Sequence, residues 1–116
     1  MESHTRRAIA YIAGRLINGG SGSSIYDYSE SRYDTFGGNV SEASVSVFDY
    51  EQSCYVSGSS TNLFHYGDGH YVTLRVAGTK FSGFDYGSSN HFSGTVNGRS
   101  LSVYDYGTSS YYQYSI

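Results

Sequence analysis

From Ile25 to Ile116 apolar and polar positions alternate with a period of two. Val72, Leu74 and Val76 face one way, with Thr73 and Arg75 opposite; Phe92, Gly94 and Val96 alternate in the same sense with Ser93, Thr95 and Asn97. Such alternation predicts β-strands with one buried face. A different pattern precedes it. Ile9, Ile12, Ala13 and Leu16 recur at helical spacing, edged by Ala8 and Ile17. This predicts an amphipathic helix over residues 3–17, with Ser3 as N-cap and Asn18-Gly19 as its stop. Arg6, Arg7 and Arg15 then belong to its solvated side. Gly19 to Ser24 reads as a flexible joint.

The strand region is a repeat. Five times an aliphatic residue or Gly is followed by an aromatic, by Asp or His, by Tyr, by four turn-type residues and then by Tyr or His. The copies are Ile25-Tyr26-Asp27-Tyr28 before Tyr33, Val47-Phe48-Asp49-Tyr50 before Tyr55, Leu63-Phe64-His65-Tyr66 before Tyr71, Gly83-Phe84-Asp85-Tyr86 before His91, and Val103-Tyr104-Asp105-Tyr106 before Tyr111. The Tyr that follows the Asp or His recurs after 22, 16, 20 and 20 residues, so the variation lies in the connections. Each unit contains two strands. The architecture predicted is all-β, with five tandem two-strand repeats of about 20 residues forming a β-solenoid capped by the N-terminal helix. Recurring side-chain identity is natural where like stacks on like, and a solenoid needs a cap. The alternative is an antiparallel meander closed into a barrel or folded into a sandwich, because Gly-containing four-residue connections make equally good hairpin loops. Residues 1–18 form the amphipathic helix and 19–116 the β-repeat region of one globular domain.

Alternation separates two rows within each repeat. Val45, Val47 and Asp49, or Leu101, Val103 and Asp105, lie on the row that continues into the core. The opposite face then carries Phe48, Phe64, Phe84 and Tyr104 in one column and Tyr50, Tyr66, Tyr86 and Tyr106 in another. Read as structure, these columns are cross-strand packing ladders partly covered by the helix. Read as function, so many adjacent rings exceed the apolar patch a soluble monomer exposes, and these eight residues become a surface for self-association or for a protein partner. Sugar stacking on the same face is the alternative.

Composition narrows the choice of partner. The chain has 116 residues, a net charge of -3, 15% charged and 17% aromatic residues, and Lys and Arg scattered beyond the helix. No basic face is offered, which disfavours nucleic acid despite the abundant tyrosine. Arg6-Arg7 and the apolar run Ala8 to Gly14 are too short for an export signal and read as part of the folded helix. No run is long enough to span a membrane as a helix. A single cysteine, Cys54, leaves the redox compartment undefined, and a cytoplasmic location is the default.

The repeated Asp is the most informative polar feature. At a strand end it is expected to accept backbone N–H bonds from the following turn. His65, in the Asp position of its repeat, is expected between carboxylates in its charged form. Calcium ligation by Asp49, Asp85 and Asp105 lacks the loop pattern of known calcium motifs. For a softer metal, Cys54, His65, His70 and His91 are the candidates, with Asp68 in the same loop as His70, but no paired-cysteine or His-x-x-x-His spacing supports them. No metal, cofactor or catalytic residue is assigned, because no nucleophile elbow, phosphate loop or zinc-protease helix occurs. The expectation is a non-enzymatic structural or interaction module, with a small carbohydrate-binding or metal-binding module as the alternative.

Overall fold

The computed structural model describes residues 1–116. Helix α1 spans Ser3–Asn18. The strands are β1 (Ser24–Asp27), β2 (Arg32–Val40), β3 (Val45–Asp49), β4 (Cys54–Ser59), β5 (Asn62–His65), β6 (His70–Thr73), β7 (Arg75–Ala77), β8 (Lys80–Asp85), β9 (Asn90–Asn97), β10 (Ser100–Asp105) and β11 (Ser110–Ser115). β6 and β7 are two parts of one path broken at Leu74, so the segments make a ten-stranded antiparallel barrel. β1 pairs with β11, and β8 pairs with both β6 and β7.

The solenoid expectation is thus corrected to its alternative, the closed meander. The reason lies in the four-residue turns. Ser31, Ser53, Ser89 and Ser109 sit at φ between 54° and 57°, and Gly69 at 77°. A left-handed fourth residue closes each turn and sends the chain back antiparallel. Tyr26 therefore faces Tyr33, Phe48 faces Tyr55, Phe64 faces Tyr71, Phe84 faces His91 and Tyr104 faces Tyr111. A solenoid corner would instead have stacked each ring on its counterpart in the next repeat.

The helix does not cap the barrel; it fills it. Residues Thr5 to Gly14 are all buried, so the helix is enclosed on every side. Ala8, Ala10, Ala13 and Gly14 let the wall come close, while Ile9, Tyr11 and Ile12 fill the wider parts of the lumen. Tyr11 stacks on Phe36 of β2 with ring centroids 4.4 Å apart. Inward-facing Ile25, Val47, Val56, Leu63, Val72, Leu101 and Val103 complete the same core.

Arg6 and Arg7, expected in solvent, are buried as well. A guanidinium enters such a lumen only when paired. Arg6 Nη1 donates to Asp105 Oδ2 at 3.0 Å and its Nε to the Tyr114 hydroxyl at 3.1 Å. Arg7 Nη1 donates to Asp27 Oδ2 at 3.2 Å, and its Nε reaches Asp34 Oδ2 at 3.4 Å. These pairs hold the helix N-terminus at the end of the barrel that carries the five motif hairpins. At the other end Asn18 Nδ2 donates to the Gly98 carbonyl, and Gly19, at φ 70°, ends the helix.

Two substitutions test this account. Arg7→Met should destabilise the fold by about 3–5 kcal/mol, since it leaves Asp27 and Asp34 buried without their cation; a small loss in urea denaturation would mean that the pairs do not hold the helix. Ser109→Gly relieves a left-handed serine and should stabilise by about 0.5–1 kcal/mol, read as a higher Tm.

Candidate functional site

The repeated motif places successive side chains on opposite faces of the wall. Phe48 and Tyr50 point outward while Asp49 between them points into the lumen, and the other four copies behave alike. Outside, each hairpin carries three rings. Phe48 meets Tyr50 and Tyr55 edge-on at 5.2 and 4.9 Å; Phe64 meets Tyr66 and Tyr71 at 4.8 and 4.8 Å. Phe84 does the same with Tyr86 and His91, Tyr104 with Tyr106 and Tyr111, and Tyr26 with Tyr28 and Tyr33. Packing is thus within a hairpin, where the sequence suggested columns running from repeat to repeat. The helix, being inside, covers none of it.

Backbone register links these triads into a belt. Tyr66 N–H bonds to the Tyr55 carbonyl, Tyr86 N–H to that of Tyr71 and Tyr106 N–H to that of His91. Between β3 and β11, therefore, neighbouring hairpins carry their outermost aromatics at adjacent backbone positions. The belt breaks where Tyr50 meets Thr35 and where Tyr28 meets Gln113. Tyr28, Tyr33, Tyr50, Tyr55, Tyr66, Tyr71, Tyr86, Tyr106 and Tyr111 are each at least 50% exposed. All eight surface residues named from sequence, Phe48, Tyr50, Phe64, Tyr66, Phe84, Tyr86, Tyr104 and Tyr106, lie on this belt. Sequence reasoning left out the returning-strand members Tyr55, Tyr71, His91 and Tyr111, although their constant spacing after the turn was the available signal.

Inside the same hairpins lies a layer of carboxylates. Asp27 Oδ1 accepts the Ser29 and Glu30 N–H groups, Asp49 Oδ1 those of Glu51 and Gln52, Asp85 Oδ1 that of Gly87 and Asp105 Oδ1 that of Gly107. Turn capping is what these aspartates do. His65 imitates them, with Nδ1 accepting the Asp68 N–H at 3.1 Å. Its expected charged state is corrected: burial pushes the imidazole below its ordinary pKa, outweighing the attraction of Asp68.

Charge is unbalanced around Arg7. Asp27, Asp34, Asp49, Glu30 and Glu51 cluster near Arg7 and Arg32, so five carboxyls meet two cations. The surplus falls on Asp49. Burial, then the charge and hydrogen bonding of Asp34, push its pKa up to about 7. Asp34 Oδ1 and Asp49 Oδ2 are both buried with no protein hydrogen-bond partner beside this raised carboxyl. Asp34 itself was not singled out from sequence, because it falls outside the repeated motif.

The metal candidates divide. His65 and His70 are cross-strand partners, and the Cys54 thiol lies beside Gly67 near the His65 ring, where burial pushes it up. His91 is separated from them on the outer belt. The helix adds His4, whose Nε2 is 2.6 Å from Asp68 Oδ1, and Thr5, whose hydroxyl donates to Asp68 Oδ2. Although burial alone would raise it, these two bonds hold the Asp68 carboxyl below the usual range. His4, His65 and Asp68 converge, but the His65 Nδ1 lone pair is already taken by the Asp68 N–H. What this arrangement does chemically is fasten the helix N-terminus to the third hairpin.

Compared with models of protein families, with curated proteins and with solved structures, the chain matches none. No helix is long and apolar enough to cross a membrane.

Folding favours protonated Asp49, so this group's contribution to stability is full below about pH 4 and is lost as pH rises through about 7. Asp49→Asn keeps the turn bonds and offers Asp34 a permanent donor. It should be more stable than the parent at pH 8 and lose that part of the pH dependence in urea denaturation between pH 5 and 8. An unchanged profile would place the proton elsewhere.

Proposed function

We propose that this chain is a non-enzymatic interaction module whose tyrosine belt is the contact surface, and that the belt joins copies of the chain to one another. One observation carries the reading: nine tyrosines at least half exposed are spread over the five hairpins of the barrel rim, while the lumen that would otherwise hold a ligand is filled by the chain's own helix. Exposed tyrosine among Ser, Gly and Asn is the composition of evolved binding surfaces, where a ring supplies contact area at little entropic cost and small polar groups adapt their hydrogen bonds. Each outer ring is also braced edge-on by its hairpin's central ring, which lowers the cost of fixing it at an interface. A cytoplasmic location and independence from any cofactor belong to the same reading.

Sedimentation velocity from about 1 to 100 μM should show concentration-dependent assembly at saturable stoichiometry. Tyr55→Ser with Tyr66→Ser, on the continuous arc of the belt, should shift that equilibrium toward monomer by about tenfold or more in Kd without lowering Tm by more than a few degrees. A parent protein that stays monomeric throughout this range would rule out self-association, and a variant that unfolds would return the rings to packing.

A further inference from the structure

The outer face of β7, β8, β9 and β10 holds two adjoining surface depressions, of about 900 and 670 Å³, and they share Arg75, Ser82, Ser93 and Tyr106. They form one continuous groove. Its floor follows from register. Arg75 faces Ser82, Ser82 faces Ser93 and Ser93 faces Tyr104; one step along the strands Lys80 faces Thr95 and Thr95 faces Ser102. Small hydroxyl side chains thus run across three strands between larger neighbours. Toward the hairpin end the wall is aromatic, with Phe84, His91, Tyr104 and Tyr106.

The groove is deepened by a local feature of the wall. At the Leu74 break β6 and β7 bend around Gly83, where an added Cβ would lie 1.9 Å from the Thr73 carbonyl oxygen. On the inner side the Phe92 ring covers Gly83, and the Phe81 ring covers Gly94. With these bulky groups turned inward, the middle of the outer surface of β8 and β9 is left to Ser82 and Ser93.

Charge then selects the occupant. Although the protein carries a net charge of -3, the charged residues lining this groove are Arg75 and Lys80, with no carboxylate among them. Neither Arg75 nor Lys80 is held in an ion pair. We propose that the groove binds an acidic oligosaccharide, a short run of uronate sugars. The apolar faces of the sugar rings would lie against Tyr104 and Tyr106, their hydroxyls would exchange hydrogen bonds with Ser82, Ser93, Thr95 and Asn90, and carboxylates would pair with Arg75 and Lys80. An oligonucleotide also stacks on aromatics, but two cations on an acidic protein offer little to a phosphate backbone. The inference rests on reading the outer face as a binding surface; its aromatic wall belongs to the same arc as Tyr55 and Tyr66, but to later hairpins, and it does not require self-association.

The test is calorimetric titration with tetragalacturonate and, separately, with neutral cellotetraose at the same ionic strength. The expected result is saturable binding of the uronate, tighter than that of the neutral sugar and weakened by added salt. Arg75→Gln with Lys80→Gln, at exposed positions that should leave folding intact by circular dichroism, should weaken uronate binding by about tenfold or more and leave the neutral sugar's affinity unchanged. Tyr104→Ala or Tyr106→Ala should weaken both. Absence of saturable uronate binding, indifference to the Arg75 and Lys80 substitutions, or tighter binding of a tetra-aspartate peptide or of a dT tetranucleotide would overturn the proposal. The sedimentation result for the Tyr55 and Tyr66 variant is independent of all these outcomes, so either reading can fail alone.

Discussion

A closed wall of ten strands encloses more space than its own inward side chains fill, and the empty remainder would forfeit the contacts that make a core stable. This chain fills that space with its first helix. The solution imposes a second constraint, because a helix enclosed on all sides cannot keep a charged face in water. Arg6 and Arg7 are accommodated only because Asp105, Asp27 and Asp34 project inward at the same level. The aspartates in turn are tolerable in the lumen because backbone N–H groups of the turns and the two guanidinium groups neutralise them. Helix position, turn geometry and buried charge are therefore one interdependent arrangement, and replacing one partner leaves the others uncompensated.

The balance is incomplete at one place, and its location is informative. Asp49 and Asp34 approach each other on β3 and β2 with Arg7 already committed to Asp27, Asp34 and Glu51. Burial and the neighbouring Asp34 raise the Asp49 pKa to about 7, so that carboxyl holds a proton more readily than an ordinary aspartate. The stability of the first two hairpins is thereby linked to pH near neutrality, while the third, where His65 replaces the motif's Asp, is closed by a neutral imidazole. Substituting His for Asp at one position removes a charge from a layer that already carries too many.

Much of the wall was legible from residues alone. Alternation separated Val45, Val47 and Asp49 from Phe48 and Tyr50, and the motif's Asp was correctly read as a turn cap, because both depend on local geometry. What was not legible depended on closure. Solenoid corners and hairpin turns use the same Gly and Ser residues, and only the left-handed conformation of Ser31, Ser53, Ser89 and Ser109, which sequence does not display, separates them. The helix misled for a related reason. Arg6 and Arg7 look solvated in any helical projection, and their true environment exists only once Asp27, Asp34 and Asp105, distant in sequence, have been brought round them. Asp34 escaped notice because it stands outside the repeat.

The outer surface follows from the same economy of space. A strand offers one side chain to each face in turn, so each inward Asp is flanked by two outward positions, and here those are aromatic. Such rings are not needed to fill the lumen, which the helix already occupies, and their outer members remain at least half exposed. Edge-on packing on Phe48, Phe64, Phe84 and Tyr104 keeps them ordered without burying them. Ordering exposed rings costs entropy that the fold alone does not recover. Contact with a partner would recover it, since a braced ring loses little further freedom on binding. Inside and outside thus divide the work of the wall: the lumen side packs against the helix, and the outer side carries ordered rings that remain exposed.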